Sequence, residues 1–331
     1  MEISRKEGPY NEPSYFQERR GHPSRGGINF FRALPELIFK VVCTVSALVV
    51  LVIMLAIAFE LTRNSFMSMK EFGWRFLIDG TWNPVLRQFG AASSIFGSLV
   101  STAIAMVLAA PLGLIIAIFL VELAPPWLSK VVGSAIELLA AIPSIIYGMW
   151  GLFVLAPIMQ RHVQPFLGKF GDVIPLFSGP PMGIGMLTAG VILALMILPF
   201  IAAVSRDVLL LVPPVLKEAA HGAGATMWEV TRRVSIPYGR KGIIGAMFLG
   251  LGRAIGETMA VAFVIGNSHR ISLSLFESGN SIASTIALEF GEAVQDPLFR
   301  SVLIEMGLIL FLITLLFQII AQLWLMGIKG R

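Results

Sequence analysis

Five stretches of this chain contain no aspartate, glutamate, lysine or arginine: Val41–Phe59, Gln88–Val121, Leu138–Gln160, Val173–Ser205 and Met306–Ile328. The shortest is 19 residues and the longest 34. An α-helix needs about 20 predominantly apolar residues to cross the hydrocarbon core of a bilayer. Inside that core every backbone amide must be satisfied within the protein, which leaves helices or a closed barrel. Unbroken apolar runs of this length select the helical solution. The chain reads as an all-α, polytopic membrane protein. Only 14% of its 331 residues are charged, whereas soluble domains carry about 25%.

The runs of 34 and 33 residues each hold one span plus apolar loop. Thr81–Gly90 and Ile174–Pro181 are rich in Pro, Gly, Trp and Phe, which suits interfacial loops. A sixth span, over residues 242–266, is apolar except for Arg253 and Glu257. About six transmembrane helices are expected, near 36–62, 92–121, 133–159, 182–205, 239–266 and 301–327. Pro143 and Pro199 are expected to kink their helices. Residues 1–35 form a polar tail expected to be disordered, 36–327 the membrane domain, and 328–331 a short C-terminus. The single cysteine, Cys43, cannot form an intrachain disulfide.

Lysine and arginine in the flanks set orientation. With the N-terminus inside, the inner segments hold 16 basic residues and the outer segments 8. Both termini are expected in the cytoplasm, and so is a polar island, Arg206–Lys241, between the fourth and fifth spans.

The island has internal punctuation. Pro213-Pro214 can open a helix, and Gly222 and Gly224 can close it. Thr226 followed by Glu229 has capping-box spacing. A second short helix should start there and stop before Pro237. Two short helices around a glycine bend then present Leu216, Met227, Trp228 and Val230 beside Arg232 and Arg233. By physics alone such a segment could equally lie on lipid headgroups.

The spacing carries more. Glu218-Ala219-Ala220, then Gly224, then Val234-Ser-Ile236-Pro237 resembles the cytoplasmic loop of binding-protein-dependent ABC importer permeases of the MetI-like superfamily. Val234 and Ile236 stand where isoleucine and leucine are usual, and both keep an apolar side chain. Glu137–Gly151 (ELLAAIPSIIYGMWG), Gly250–Thr258 (GLGRAIGET) and Phe119–Pro125 (FLVELAP) resemble permease subunits of bacterial phosphate importers. The likeness covers roughly residues 35–327. It implies that residues 206–238 couple to an ATPase through Glu218, Ala219, Ala220, Gly224, Trp228 and Pro237. It also implies four partners besides the lipid bilayer: a homologous second permease, two ATPase subunits and an external phosphate-binding protein. The expected compartment is the bacterial plasma membrane.

Arg253 and Glu257 stand out on physical grounds. An arginine at the centre of a membrane helix costs about 2.5–3.5 kcal/mol to insert, so it should face a bundle interior or an aqueous path. Four residues on, Glu257 would share its helix face. A mutual ion pair is one reading. An anion site or gate, with guanidinium donors meeting phosphate oxygens, is the other. The resemblance favours the second and assigns the translocation pathway to Arg253, Glu257 and Thr258. Gly252 and Gly256 read as a helix-packing pair. Glu122 and Glu137, flanking the second and third spans, have no assignable role.

The chain carries no G-x-x-x-x-G-K-[ST] loop and no nucleophile–base or metal-ligand cluster. It is expected to be no enzyme, to bind no cofactor and to contact no nucleic acid. ATP and magnesium belong to the partner ATPases. Two alternatives share the anion chemistry: an ABC permease for sulfate, molybdate or another oxyanion, and an ion-coupled anion carrier.

Overall fold

The computed structural model describes the backbone from Asn29 to Gly327 and side chains from Pro35 onward. Most of the expected N-terminal tail, and residues 328–331, lie outside the described residues. The chain divides into two units, one up to Ile57 and one from Ala58 onward. Helix α1 (Asn29–Phe72) supplies all that is described of the first unit. It begins earlier and ends later than the apolar run alone predicts.

In the second unit the end of α1 is followed by α2 (Arg75–Ile78) and a two-stranded antiparallel hairpin. In the hairpin β1 (Trp82–Asn83) pairs with β2 (Gln88–Phe89), Trp82 opposite Phe89. Then come α3 (Ala92–Ile118), a π-helical extension at Phe119–Leu123, and α4 (Pro126–Ala140). Next are α5 (Ser144–Trp150), α6 (Ala156–Ile158) and α7 (Gln164–Gly168), joined by π-helical turns. Helix α8 (Met186–Leu210) leads to α9 (Pro214–Gly222) and α10 (Met227–Val230), then through a π-turn at Thr231–Ser235 into α11 (Ile236–Ile255). Helices α12 (Met259–Val264), α13 (Ile282–Ala293) and α14 (Pro297–Gly327) complete the chain.

Four helices are long and apolar enough to cross a membrane, or five if α4 and the α5–α7 segment form one bent span. Two of the six expected spans are not single long apolar helices. The third helix is not continuous, because the chain turns by 91° between α4 and α5. Pro143 sits at that turn and lacks the N–H that would continue the helix, so it breaks the span instead of kinking it. The fifth helix stops at Ile255 and carries three charges, Arg240, Lys241 and Arg253. Pro199, by contrast, lies inside an uninterrupted α8.

Helix α8 is the centre of the unit. Ile192, Leu193, Ile197 and Ile201 are fully buried. A face of α3 packs on it, built from Ala105, Ala109 and Gly113, all buried at four-residue spacing. Small side chains at that spacing let two helix backbones approach closely. A β-carbon on Gly113 would meet Ile201 Cγ2 at 3.0 Å, and one on Gly190 of α8 would meet Ile104 Cγ2 at 2.5 Å. Helix α11 packs on the same core, since a β-carbon on Gly250 would reach Ile201 Cγ1 at 2.8 Å.

Candidate functional site

The island folds into the two short helices that its sequence predicts. Pro213 caps α9 and Pro214 occupies its first turn. Gly224 takes φ +86°, a left-handed conformation that glycine adopts without a steric penalty. The capping box forms. Thr226 N–H and its hydroxyl both donate to Glu229 Oε2 at 3.0 Å, and Glu229 N–H donates to Thr226 Oγ1 at 3.4 Å. The Thr226 N–H and hydroxyl hold the Glu229 carboxyl below its ordinary range. The second helix does not stop before Pro237. It widens into a π-turn at Thr231–Ser235 and continues as α11, so that Pro237 directly follows the widened turn.

The face that this segment turns outward is apolar. Helix α9 has no buried residue. Val215 is 70% exposed and Trp228 65%, and Leu216 and Met227 are also exposed. Val230 instead is buried. Glu218 and Ala219 are exposed and Ala220 half-buried. A β-carbon on Gly222 or Gly224 would meet nothing within 4 Å. The small residues of the motif therefore leave an open surface and fill no gap in this chain.

At the other end of α11 the arrangement differs from an i, i+4 pair. Helix α11 ends at Ile255 and α12 begins at Met259, so Arg253 lies in a last helical turn and Glu257 in the break. Glu257 Oε1 accepts the Ala260 N–H at 3.3 Å and so helps cap α12. Among the described residues no carboxylate lies within 4.0 Å of Arg253, so the mutual ion pair is absent. Thr258 donates its hydroxyl to the Gly256 carbonyl at 3.3 Å within the break. Gly252 faces open space and Gly256 meets only its own chain's Gly252 carbonyl. Within this chain they pack against no other helix. Such packing falls to Gly250, and to Gly242 where a β-carbon would meet Val208 Cγ2 at 2.5 Å.

The two helix breaks lie side by side. Helix α5 packs on α12 through Gly148, where a β-carbon would meet Phe263 Cδ2 at 2.7 Å and Ala260 Cα at 3.0 Å. The Tyr147 hydroxyl donates to the Leu139 carbonyl at 2.9 Å, bridging the α4–α5 turn. The α4–α5 turn and the start of α12, distant in sequence, thus lie against each other.

Three polar features lay beyond sequence reasoning. Glu122, at the end of the α3 span, accepts from Lys217 Nζ at 2.8 Å and from the Ser235 hydroxyl at 2.7 Å. Glu137 lies 3.3 Å from Arg206 Nη1, whose guanidinium packs on Gly133. Near the hairpin, His269 stacks on Trp82 and its Nδ1 accepts from Asn280 Nδ2 at 2.9 Å. Ser281 caps α13 by accepting the Ser284 N–H at 3.1 Å. Among the described residues no group of three or more His, Cys, Asp or Glu side chains is placed to hold a metal ion.

The broken spans, the exposed α9 and the helix break beside Arg253 fit the architecture of a membrane transport subunit. Residues 109–325 match the family described as binding-protein-dependent transport system inner membrane component, and the chain belongs to that family. It is 54% identical to the phosphate transport system permease protein PstC of Mesorhizobium japonicum, over 90% of this chain and 92% of the relative. It is 51% identical to the protein of that name in Haemophilus influenzae, covering 87% and 92%. A probable phosphate transport system permease protein PstC of Methanocaldococcus jannaschii is 38% identical, covering 85% and 91%. Among solved structures, a bacterial ABC transporter for import of the acidic polysaccharide alginate superposes with TM-score 0.59 at 14% identity, covering 90% of this chain and all of that one. The MetNI methionine ABC transporter gives 0.53 at 18% identity, covering 75% and 99%. The fold is that of a MetI-like ABC importer permease.

Proposed function

We propose that this chain is a membrane subunit of an ATP-driven importer, and that it carries inorganic phosphate across a bacterial plasma membrane. One observation carries the reading: Arg253 presents guanidinium donors, with no carboxylate within 4.0 Å among the described residues, at a helix break. Relatives named as phosphate permeases match at 54% and 51% identity over most of the chain. An arginine held inside a membrane without a counter-ion is costly, and a passing tetrahedral oxyanion satisfies it with strong charge-assisted hydrogen bonds. Glu257 and Thr258 line the same break.

ATP and magnesium bind to two separate ATPase subunits. Those subunits dock on the outward face of α9 and α10, where Glu218, Ala219, Ala220, Gly224 and Trp228 make the contact. Pro237 then passes movement into α11. A second, homologous permease completes the pore, and an external binding protein delivers phosphate. The twofold excess of basic residues supports a cytoplasmic position for both termini and the coupling loop.

The test is reconstitution of the chain with those partners in proteoliposomes, with ATP on the coupling-loop side and labelled phosphate on the other. Uptake should require ATP and the binding protein, and Arg253→Ala should lower it sharply at unchanged assembly. Full uptake by Arg253→Ala would overturn the pathway role. Inhibition by sulfate or molybdate equal to that by unlabelled phosphate would overturn the cargo.

A further inference from the structure

Helix α9 is held to the spanning helices in an unusual way. It buries no side chain, so the hydrophobic core does not fix it. Its C-terminal joint, Gly222 to Gly224, has open space around both glycines and one residue at φ +86°. A joint of that kind bends under load. Among the described residues, one side-chain hydrogen bond ties α9 to a spanning helix. Lys217 Nζ donates to Glu122 Oε1 at 2.8 Å, with 20% and 5% of the two side chains exposed. The same oxygen accepts the Ser235 hydroxyl at 2.7 Å, and Ser235 is fully buried just before α11. One buried carboxylate therefore joins three elements: the end of the α3 span, α9, and the π-turn that feeds α11.

We propose that Glu122 is the positioning residue that clamps α9 to α3 and α11, so that a push on α9 moves these helices instead of flexing the Gly222–Gly224 joint. The inference rests on the reading of α9 as the ATPase contact. The clamp suits transmission for two reasons. A nearly buried, charge-assisted pair is stiffer and stronger than a solvated one. Both donors also converge on one atom, so α9 and the start of α11 are held to the same point and cannot shift independently. Lys217 directly precedes Glu218, which puts the tether at the root of the docking surface.

The experiment uses the whole reconstituted transporter and reads phosphate imported per ATP hydrolysed. Glu122→Gln keeps the shape and an acceptor for Ser235 but removes the charge. Lys217→Met removes the same bond from an α9 residue without emptying a core site. Both should keep ATP hydrolysis and lower the transport-to-hydrolysis ratio by about tenfold, the change expected from one lost charge-assisted hydrogen bond. The double variant should be no worse than either single one, and Lys217→Arg should restore most of the ratio. A merely structural role would lower assembly and leave the ratio of the assembled fraction unchanged. A wild-type ratio in Lys217→Met, or additive losses in the double variant, would overturn the clamp. If the unmodified complex hydrolyses ATP without import, the failure lies in the proposed function and not in the clamp.

Discussion

Gly148 of α5 lies so close to Ala260 of α12 that a β-carbon added to it would meet the Ala260 Cα at 3.0 Å. The Met259 carbonyl oxygen would lie 3.1 Å away and Phe263 Cδ2 2.7 Å away. Two of these neighbours are backbone and cannot rotate aside. The contact fixes the distance between the two broken spans, and with it the position of the break that holds Glu257.

Gly148→Ala should therefore destabilise the protein by about 1–3 kcal/mol, as overpacking of a tight interior does. It should also reduce uptake by shifting α12. Gly291→Ala is the matched control. Gly291 lies in α13, where a β-carbon meets nothing within 4 Å, and alanine there should be neutral or stabilising by up to about 1 kcal/mol. Thermal unfolding of the two purified variants checks the pair. Equal midpoints would show that the α5–α12 contact can relax.

The stacked pair of His269 and Trp82, with ring centroids 4.8 Å apart and planes 4° apart, gives a pH dependence. Burial holds the His269 imidazole well below its ordinary value of 6.5, at about 4. The folded state thus keeps the ring neutral where the unfolded chain takes up a proton. Stability is unaffected above pH 6.5 and falls as pH drops from there toward 4. The site is partly open to water, so the screened loss is about 1 kcal/mol. Glu289, 3.8 Å from His269 Nε2, is shifted upward by burial and by the charge of Glu292. Its effect has the opposite sign, present at low pH and lost as pH rises through its raised value. Comparison with His269→Phe, which keeps the stack and removes the titration, isolates the histidine. The wild type should lose more of its unfolding midpoint between pH 7.5 and 5 than the variant does. Parallel pH profiles would refute the assignment.

The capping box of α10 was legible in the sequence because its signal is local: a threonine, a glutamate three residues on, and a preceding glycine. The clamp at Glu122 was not, since its partners are 95 and 113 residues away and neither residue type is unusual at a membrane boundary. Between these extremes lies the Arg253 break. Helical periodicity puts Arg253 and Glu257 on one face, and that reasoning fails because the helix ends at Ile255. Gly256 and Thr258, both poorer helix formers than alanine, were the available signal. The α3–α8 seam was also readable, as small residues at every fourth position from Ala105 to Gly113, but a long charge-free run hides such a stripe among other apolar residues.

Thr226→Ala removes the hydroxyl that accepts the Glu229 N–H and donates to its carboxylate. Loss of an N-cap should raise the opening equilibrium of α10 by about fivefold. Hydrogen exchange should therefore speed up over residues 227–231 and stay unchanged in α8. Coupled uptake should fall as well, because Trp228 sits on that helix. Unchanged exchange across α10 would mean that the π-turn and α11 hold it without the cap.

Substitutions at Arg253 and Glu257 should shift KM for phosphate in opposite directions. With no carboxylate within 4.0 Å among the described residues, Arg253 needs no displacement of a counter-ion before it meets an anion. Removing it by Arg253→Ala takes away binding, so KM for phosphate should rise as the rate falls. Glu257→Gln is different. Its side-chain oxygen still accepts the Ala260 N–H, so α12 stays capped, but the negative charge beside the path is gone. An anion bound at Arg253 is then repelled less and leaves more slowly. KM should fall together with the maximal rate, each by about tenfold. Initial rates of labelled phosphate uptake over a range of phosphate concentrations separate the two cases. A rise in KM for both variants would mean that Glu257 helps to bind the anion and does not help to release it.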